Sequence, residues 1–199
     1  MEVNRLEAFS DGVLAIIITI MVLELKVPAG GDLAGLRPLL PVFLAYVLSF
    51  VYLGIYWNNH HHLLKVARRA SAATMWANLH LLFWLSLLPF VTGWAGANRF
   101  APVPNALYGV VLLLAAVAYF VLQTTVVAQH GRDSALAAAL GRDLKGKLSV
   151  ALYAVAVAAC AWQGWVAVAI YVLVALWWLV PDRRIERALA AECAAAPAE

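Results

Sequence analysis

The chain has 199 residues, of which 65% are hydrophobic and 13% charged, with a formal net charge of +3 and a mean hydropathy of +0.84. A soluble domain is about half apolar and a quarter charged, and has no interior large enough for this much apolar side chain, so lipid is the expected solvent. The small positive balance is no nucleic-acid signal, because the Lys and Arg residues lie at the ends of apolar stretches, where a membrane protein keeps them.

Uncharged stretches run 12–23, 38–64, 70–98, 100–131 and 148–181. A span needs about 20 apolar residues. The first is short, but its helix can begin upstream, in residues that include Arg5, Phe9, Ser10 and Asp11, and end near Lys26. Glu2 and Glu7 and the lack of a small-residue cleavage site argue against a cleaved leader, so this helix is expected to be retained. The second to fourth stretches hold one span each. The last is too long for one ordinary span, and Gln163-Gly164 near its middle suggests a tight hairpin, with Lys145 and Lys147 snorkelling at its start. The expected helices are 5–27, 38–67, 72–95, 104–129, 145–162 and 165–181. Residues 133–143 read as an interfacial helix and 182–199 as a short cytoplasmic tail, leaving 1–181 as one six-helix membrane domain.

Lys/Arg placement sets the orientation. With the N-terminus inside, Arg5, Lys65, Arg68, Arg69, Arg132, Arg142, Lys145, Lys147, Arg183, Arg184 and Arg187 fall inside, while Lys26, Arg37 and Arg99 fall outside. That bias puts both termini in the cytoplasm and requires the last stretch to cross twice.

Charged and polar groups at the mouth of a spanning helix are costly in lipid and mark a functional site by default. Ser10 and Asp11 lie roughly 120–140° around the helix from Ile16, so they should face the second and third helices, where Trp57, His60, His61 and Asn78 are the expected partners. On the first helix Ile16, Ile20 and Leu23 fall at i, i+4 and i+7 on one face, with Thr19 beside them. If several subunits bring this face to a shared axis, it becomes a pore wall. Arg5 is near the same phase, and its role stays open between the pore entrance and the polar network. Thr19 reads two ways: as a selectivity residue offering hydroxyl oxygens beside the stripe, and as a spanning-helix threonine that satisfies its own i−4 carbonyl. Glu24 reads equally as a pore mouth and as an interfacial residue.

The run RLEAFSDGVLAIIITIMVLELKVP carries R-x-x-x-F-S-D at the start of the first helix. With Trp57 and His60-His61 in the second helix and Asn78 and Leu87-Leu88-Pro89-Phe90 in the third, the chain resembles the transmembrane protein 175 potassium channels. The resemblance implies the prokaryotic, one-repeat form: an all-α homotetramer of six-helix subunits in the cell membrane, its first helices lining the pore. It further implies that Ile16, Ile20 and Leu23 form an apolar filter, that potassium and other monovalent cations permeate, and that no cofactor is needed.

No TVGYG-type carbonyl filter is present, and a ring of Ile or Leu offers an ion no oxygen ligands, so it acts as a hydrophobic constriction that closes by dewetting. The runner-up function is a proton-coupled transporter or proton leak through Asp11 and the membrane histidines. An enzyme or haem protein is not supported, since no nucleophile elbow, HExxH, Cys-metal set or phosphate loop is visible. His60-His61-His62 diverge by 100° per residue and cannot converge on one ion, so they read as structural. Cys160 and Cys193 read as free thiols. Trp57 is expected to be internal.

Overall fold

A computed structural model describes residues 2–28, 30–67, 69–129 and 143–180. All regular structure among them is helical: α1 (Val3–Val22), a 3-10 helix (Leu33–Leu39), α2 (Leu40–Val66), α3 (Ala72–Ser86), α4 (Leu88–Ala97), α5 (Pro102–Ala128), α6 (Leu144–Ala159) and α7 (Gly164–Leu179).

Local chemistry sets the helix ends. Asp32 accepts from Gly35 N–H to start the 3-10 helix, Ser71 accepts from Thr74 N–H at the start of α3, and Asp143 accepts from Gly146 N–H at the start of α6. These side chains satisfy donors that have no partner within a helix's first turn. Pro41, Pro89 and Pro102 stand in the first turns of α2, α4 and α5, where a missing N–H costs nothing.

Three segments are long and apolar enough to cross a membrane: Leu33–Val66, Ala72–Ala97 and Pro102–Ala128. α1 has the length, at 20 residues, but carries Arg5, Glu7 and Asp11 in its first half. α6 and α7 have 16 residues each. At 1.5 Å per residue that is about 24 Å, less than the ~30 Å hydrocarbon core.

Three boundaries depart from the sequence reading. α1 ends at Val22 rather than near Lys26, because Leu23, Glu24 and Leu25 turn their N–H groups onto carbonyls three residues back and tighten the exit. The helix expected over 72–95 breaks at Leu87 into α3 and α4. Pro89 supplies no N–H there, and its ring is incompatible with an uninterrupted helix. The last pair ends sooner than expected, with residues 160–163 forming the turn between α6 and α7. The proposed interfacial helix at 133–143, apart from Asp143, and the tail at 182–199 lie outside the described residues.

Contacts between helix ends fix the up-and-down order. Glu7 of α1 meets His61 near the end of α2, Gln129 after α5 meets Ser71 and Thr74 at the start of α3, and Lys145 of α6 reaches the Val180 carbonyl after α7. At the opposite end Asn105 of α5 donates to the carbonyl of Gly164 in α7, and α4 presses on the start of α2. A Cβ on Gly96 would stand 2.7 Å from Val42 Cα, so only glycine allows that backbone approach. Among the described residues Arg5, Lys65, Arg69, Lys145 and Lys147 gather at the first end, and Lys26, Arg37 and Arg99 at the other.

The core is aromatic where α2, α5, α6 and α7 meet. Tyr52 OH donates to the Tyr171 carbonyl at 2.6 Å, and Tyr171 OH donates to the Asn105 carbonyl at 3.2 Å. Ser49 Oγ bonds both Thr92 Oγ1 (2.7 Å) and Tyr108 OH (3.0 Å), tying α2 to α4 and α5. The Tyr108 and Tyr171 rings are 5.5 Å apart, over the gap left by Gly109. In lipid such hydroxyls must find partners inside the protein, and here they do.

Candidate functional site

α1 has two unlike faces. Leu6, Ser10, Leu14, Ile17 and Met21, at i, i+4, i+8, i+11 and i+15, are buried against α2, α3 and α4. The other face is bare in the subunit: Phe9 is 52% exposed, Ile16 59%, Ile20 45% and Leu23 77%. Arg5, Gly12 and Thr19 share that face and are also exposed.

The buried face is held by polar contacts. Ser10 Oγ donates to the Leu6 carbonyl (2.8 Å) and accepts from Asn78 Nδ2 at 2.9 Å. Asn78 Oδ1 in turn meets His60 Nε2 at 2.7 Å, so one amide on α3 joins α1 to α2. Ser10, His60 and Asn78 are all at most 1% exposed. Nearer the edge, Trp57 Nε1 donates to Asp11 Oδ1 at 3.0 Å, and His61 Nδ1 pairs with Glu7 Oε1. Arg5, Phe9, Ser10 and Asp11 therefore part company: Ser10 and Asp11 turn into the subunit, and Arg5 and Phe9 turn out of it.

Other sequence-derived sites lie nearer the surface of the subunit. Trp57, expected to be internal, is 47% exposed, because its ring lies over His61 at the rim of the α1–α2 contact and only its N–H reaches inward. Thr19 donates to the i−3 carbonyl of Ile16 at 2.9 Å rather than to the i−4 carbonyl. Glu24 lays its carboxylate on Gly93 of α4, where a Cβ would stand 2.9 Å from Oε2, so its side chain is directed to α4. Glu7 was missed as a network member; its i+4 spacing to Asp11 on the first helix was the available signal. Among the described residues no cluster of His, Cys, Asp or Glu fits a metal ion, and Cys160 is a buried free thiol.

Residues 5–89 match the family model described as endosomal/lysosomal potassium channel TMEM175. That range contains the whole polar network and the bare α1 face. A potassium channel of Chryseobacterium sp. (strain P1-3) is 51% identical over 189 residues, covering 95% of this chain and 98% of its own. The chain belongs to the TMEM175 family. The fold agrees: the crystal structure of a lysosomal potassium-selective channel TMEM175 homolog from Chamaesiphon minutus superposes with a TM-score of 0.78. That match is at 28% identity and covers 89% of this chain and 96% of that one. The endosomal/lysosomal proton channel TMEM175 of Bos taurus is 31% identical over 146 residues, 64% of this chain but only 30% of the bovine one. As a TMEM175 protein the chain is a membrane-embedded ion channel with the family's all-α fold, not an enzyme.

Proposed function

We propose that this chain is a potassium-selective channel whose conduction path is lined by the bare face of α1, contributed by four subunits around one axis. The observation that carries the reading is the exposure of Ile16, Ile20 and Leu23 on a helix whose opposite face is pinned by Ser10–Asn78–His60. A spanning helix held this firmly, with an apolar stripe left uncovered, is suited to meeting its own copies. The four stripes form a constriction without oxygen ligands. An ion crossing it sheds or carries its water, and potassium holds water less tightly than sodium, so the barrier favours potassium.

In this reading α1, α2, α3–α4, α5, α6 and α7 are six spans, with both termini cytoplasmic at the basic end and the subunit in the cell membrane. Arg5 stands at the cytoplasmic entrance of the path, in phase with Ile16. Thr19, its donor spent on a carbonyl, presents hydroxyl lone pairs beside the Ile20 ring. Phe9 pads the contact between neighbouring α1 helices. Asp11, Trp57, His60, His61 and Asn78 hold α1 at a fixed tilt and do not touch the ion. Potassium is the permeating ion and no cofactor takes part.

A proton leak is the second reading. Its motive is the name proton channel borne by the bovine relative, together with the Asp11–Trp57 and Glu7–His61 contacts. Passive flux from liposomes holding purified protein, with potassium, sodium and proton gradients compared, separates the two. Potassium flux exceeding sodium flux at constant pH supports the channel. Movement driven only by a pH gradient overturns it.

A further inference from the structure

α6 packs against α5 and α7 rather than along α2, and the space left between α2 and α6 is a cavity of about 350 Å³. That is within the range of small-molecule sites, about 300–1,000 Å³. Its walls are aromatic: Tyr52, Tyr56, Tyr119, Phe120, Tyr153 and Trp178. Along α6 the lining runs from Asp143 to Tyr153. At 1.5 Å per residue that is a channel about 15 Å long.

Several of the polar atoms on these walls already have partners. Tyr52 OH is spent on the Tyr171 carbonyl, Tyr119 OH on the Asn59 carbonyl, Asn59 Nδ2 on the Ile55 carbonyl, and Trp178 Nε1 on Ser149 Oγ. A buried water needs two to four open polar partners, and the surface this interior exposes is chiefly apolar. Its chemistry suits hydrocarbon.

The mouth is different. Phe120 and Lys147 are exposed there, at the basic end of the bundle. The Asp143 carboxylate caps α6, with Oδ1 accepting from Gly146 N–H at 2.9 Å. Lys145 Nζ lies 4.6 Å from the Trp178 ring centroid and holds the Val180 carbonyl, closing one side. Lys147 thus stands as an exposed cation over an apolar slot in a membrane-embedded protein.

We propose that this cavity is a lipid site that takes one acyl chain of an anionic phospholipid, with the headgroup at Lys147. The site is apart from the α1 face and does not depend on the pore assignment. The test counts lipid that stays with the protein. Full-length protein is equilibrated in mixed micelles of equal phosphatidylglycerol and phosphatidylcholine, washed, and the retained lipid measured by mass spectrometry. The parent should keep phosphatidylglycerol over phosphatidylcholine by about fivefold, the size of one basic residue's attraction to anionic lipid. Ala116→Trp, which fills the slot, should lose the retained lipid, and Lys147→Gln should bring the preference close to one. Undiminished retention by an Ala116→Trp protein with the parent's melting temperature overturns the proposal, as does an unchanged preference in Lys147→Gln. If Ala116→Trp does not fold, the Lys147→Gln result decides alone.

Discussion

The α1 helix and the tyrosine cluster of α2, α5, α6 and α7 solve the same problem in opposite ways. Both place polar groups where lipid forbids loose ones. In the cluster, Tyr52, Tyr108 and Tyr171 are at most 3% exposed, and their hydroxyls tie the helices on every side. α1 is tied on one side only. Its Ser10 is fully buried while Ile16, less than two turns away, is 59% exposed. A region bonded all round is built for rigidity. In the proposed reading, a helix bonded on one face and bare on the other turns its second face to its own copies.

The contrast predicts that stability and conduction separate along the same line. The largest stability loss should come from the cluster. At Gly109 an ideal Cβ would stand 2.0 Å from Tyr171 OH, so even Gly109→Ala must displace that ring and its bond to Asn105. Overpacking of this kind costs about 1–3 kcal/mol. A clearly lowered melting temperature in detergent is the expected result, and an unchanged one would break the account of the cluster.

Asn78→Leu should come next. It removes the amide shared by Ser10 and His60 and leaves two buried polar groups facing hydrocarbon, a loss of about 1–2 kcal/mol on the scale of interhelical bonds in membranes. Thermal melting checks the size. Because α1 would lose its hold, potassium flux should change as well, which a packing mutation far from α1 would not cause at equal stability.

Trp57→Phe is milder. It keeps the stack on His61 and deletes only the bond to the Asp11 carboxylate, at a cost of about 0.6 kcal/mol, the average for such bonds. Chemical denaturation in mixed micelles resolves a difference of that size. Smallest in their effect on the subunit's own fold are Ile20→Ala and Leu23→Ala, within about 0.5 kcal/mol, since both side chains are exposed in the subunit. These two should nonetheless alter conductance or weaken selectivity more than any of the others, and liposome flux reads that directly.

The two regions were not equally legible in the sequence. The α1 site carries polar residues at fixed offsets in an apolar run. That pattern points to the polar residues of helices two and three, Trp57, His60, His61 and Asn78, as its partners. The tyrosines gave no such signal. Tyr52, Tyr108, Tyr153 and Tyr171 come from four different apolar stretches of helix, and a Tyr there reads equally as core, lipid-facing or interfacial. What joins them is the tertiary meeting of four helices, which spacing along one helix does not encode. Gly109 was silent for the same reason, since the ring that needs its space comes from α7.

Hydropathy located the spans but not their joints. The run through Leu87 is uninterrupted in hydropathy, so it read as one helix, although Pro89 carried the stop signal. The cavity between α2 and α6 could not be read at all, because missing volume leaves no mark on a sequence. Trp57 was misjudged because its single N–H reaches inward while its ring stays at the rim, and residue type alone does not divide a side chain in this way.

The measurement that tests the central claim most directly is the potassium-to-sodium flux ratio of Ile20→Ala beside the parent, in liposomes, with melting temperatures matched. The account predicts a parent that passes potassium faster than sodium and a variant, equally stable, whose ratio falls or whose conductance changes. A variant with the parent's rate and the parent's ratio would contradict it, and would remove the bare face of α1 from the conduction path.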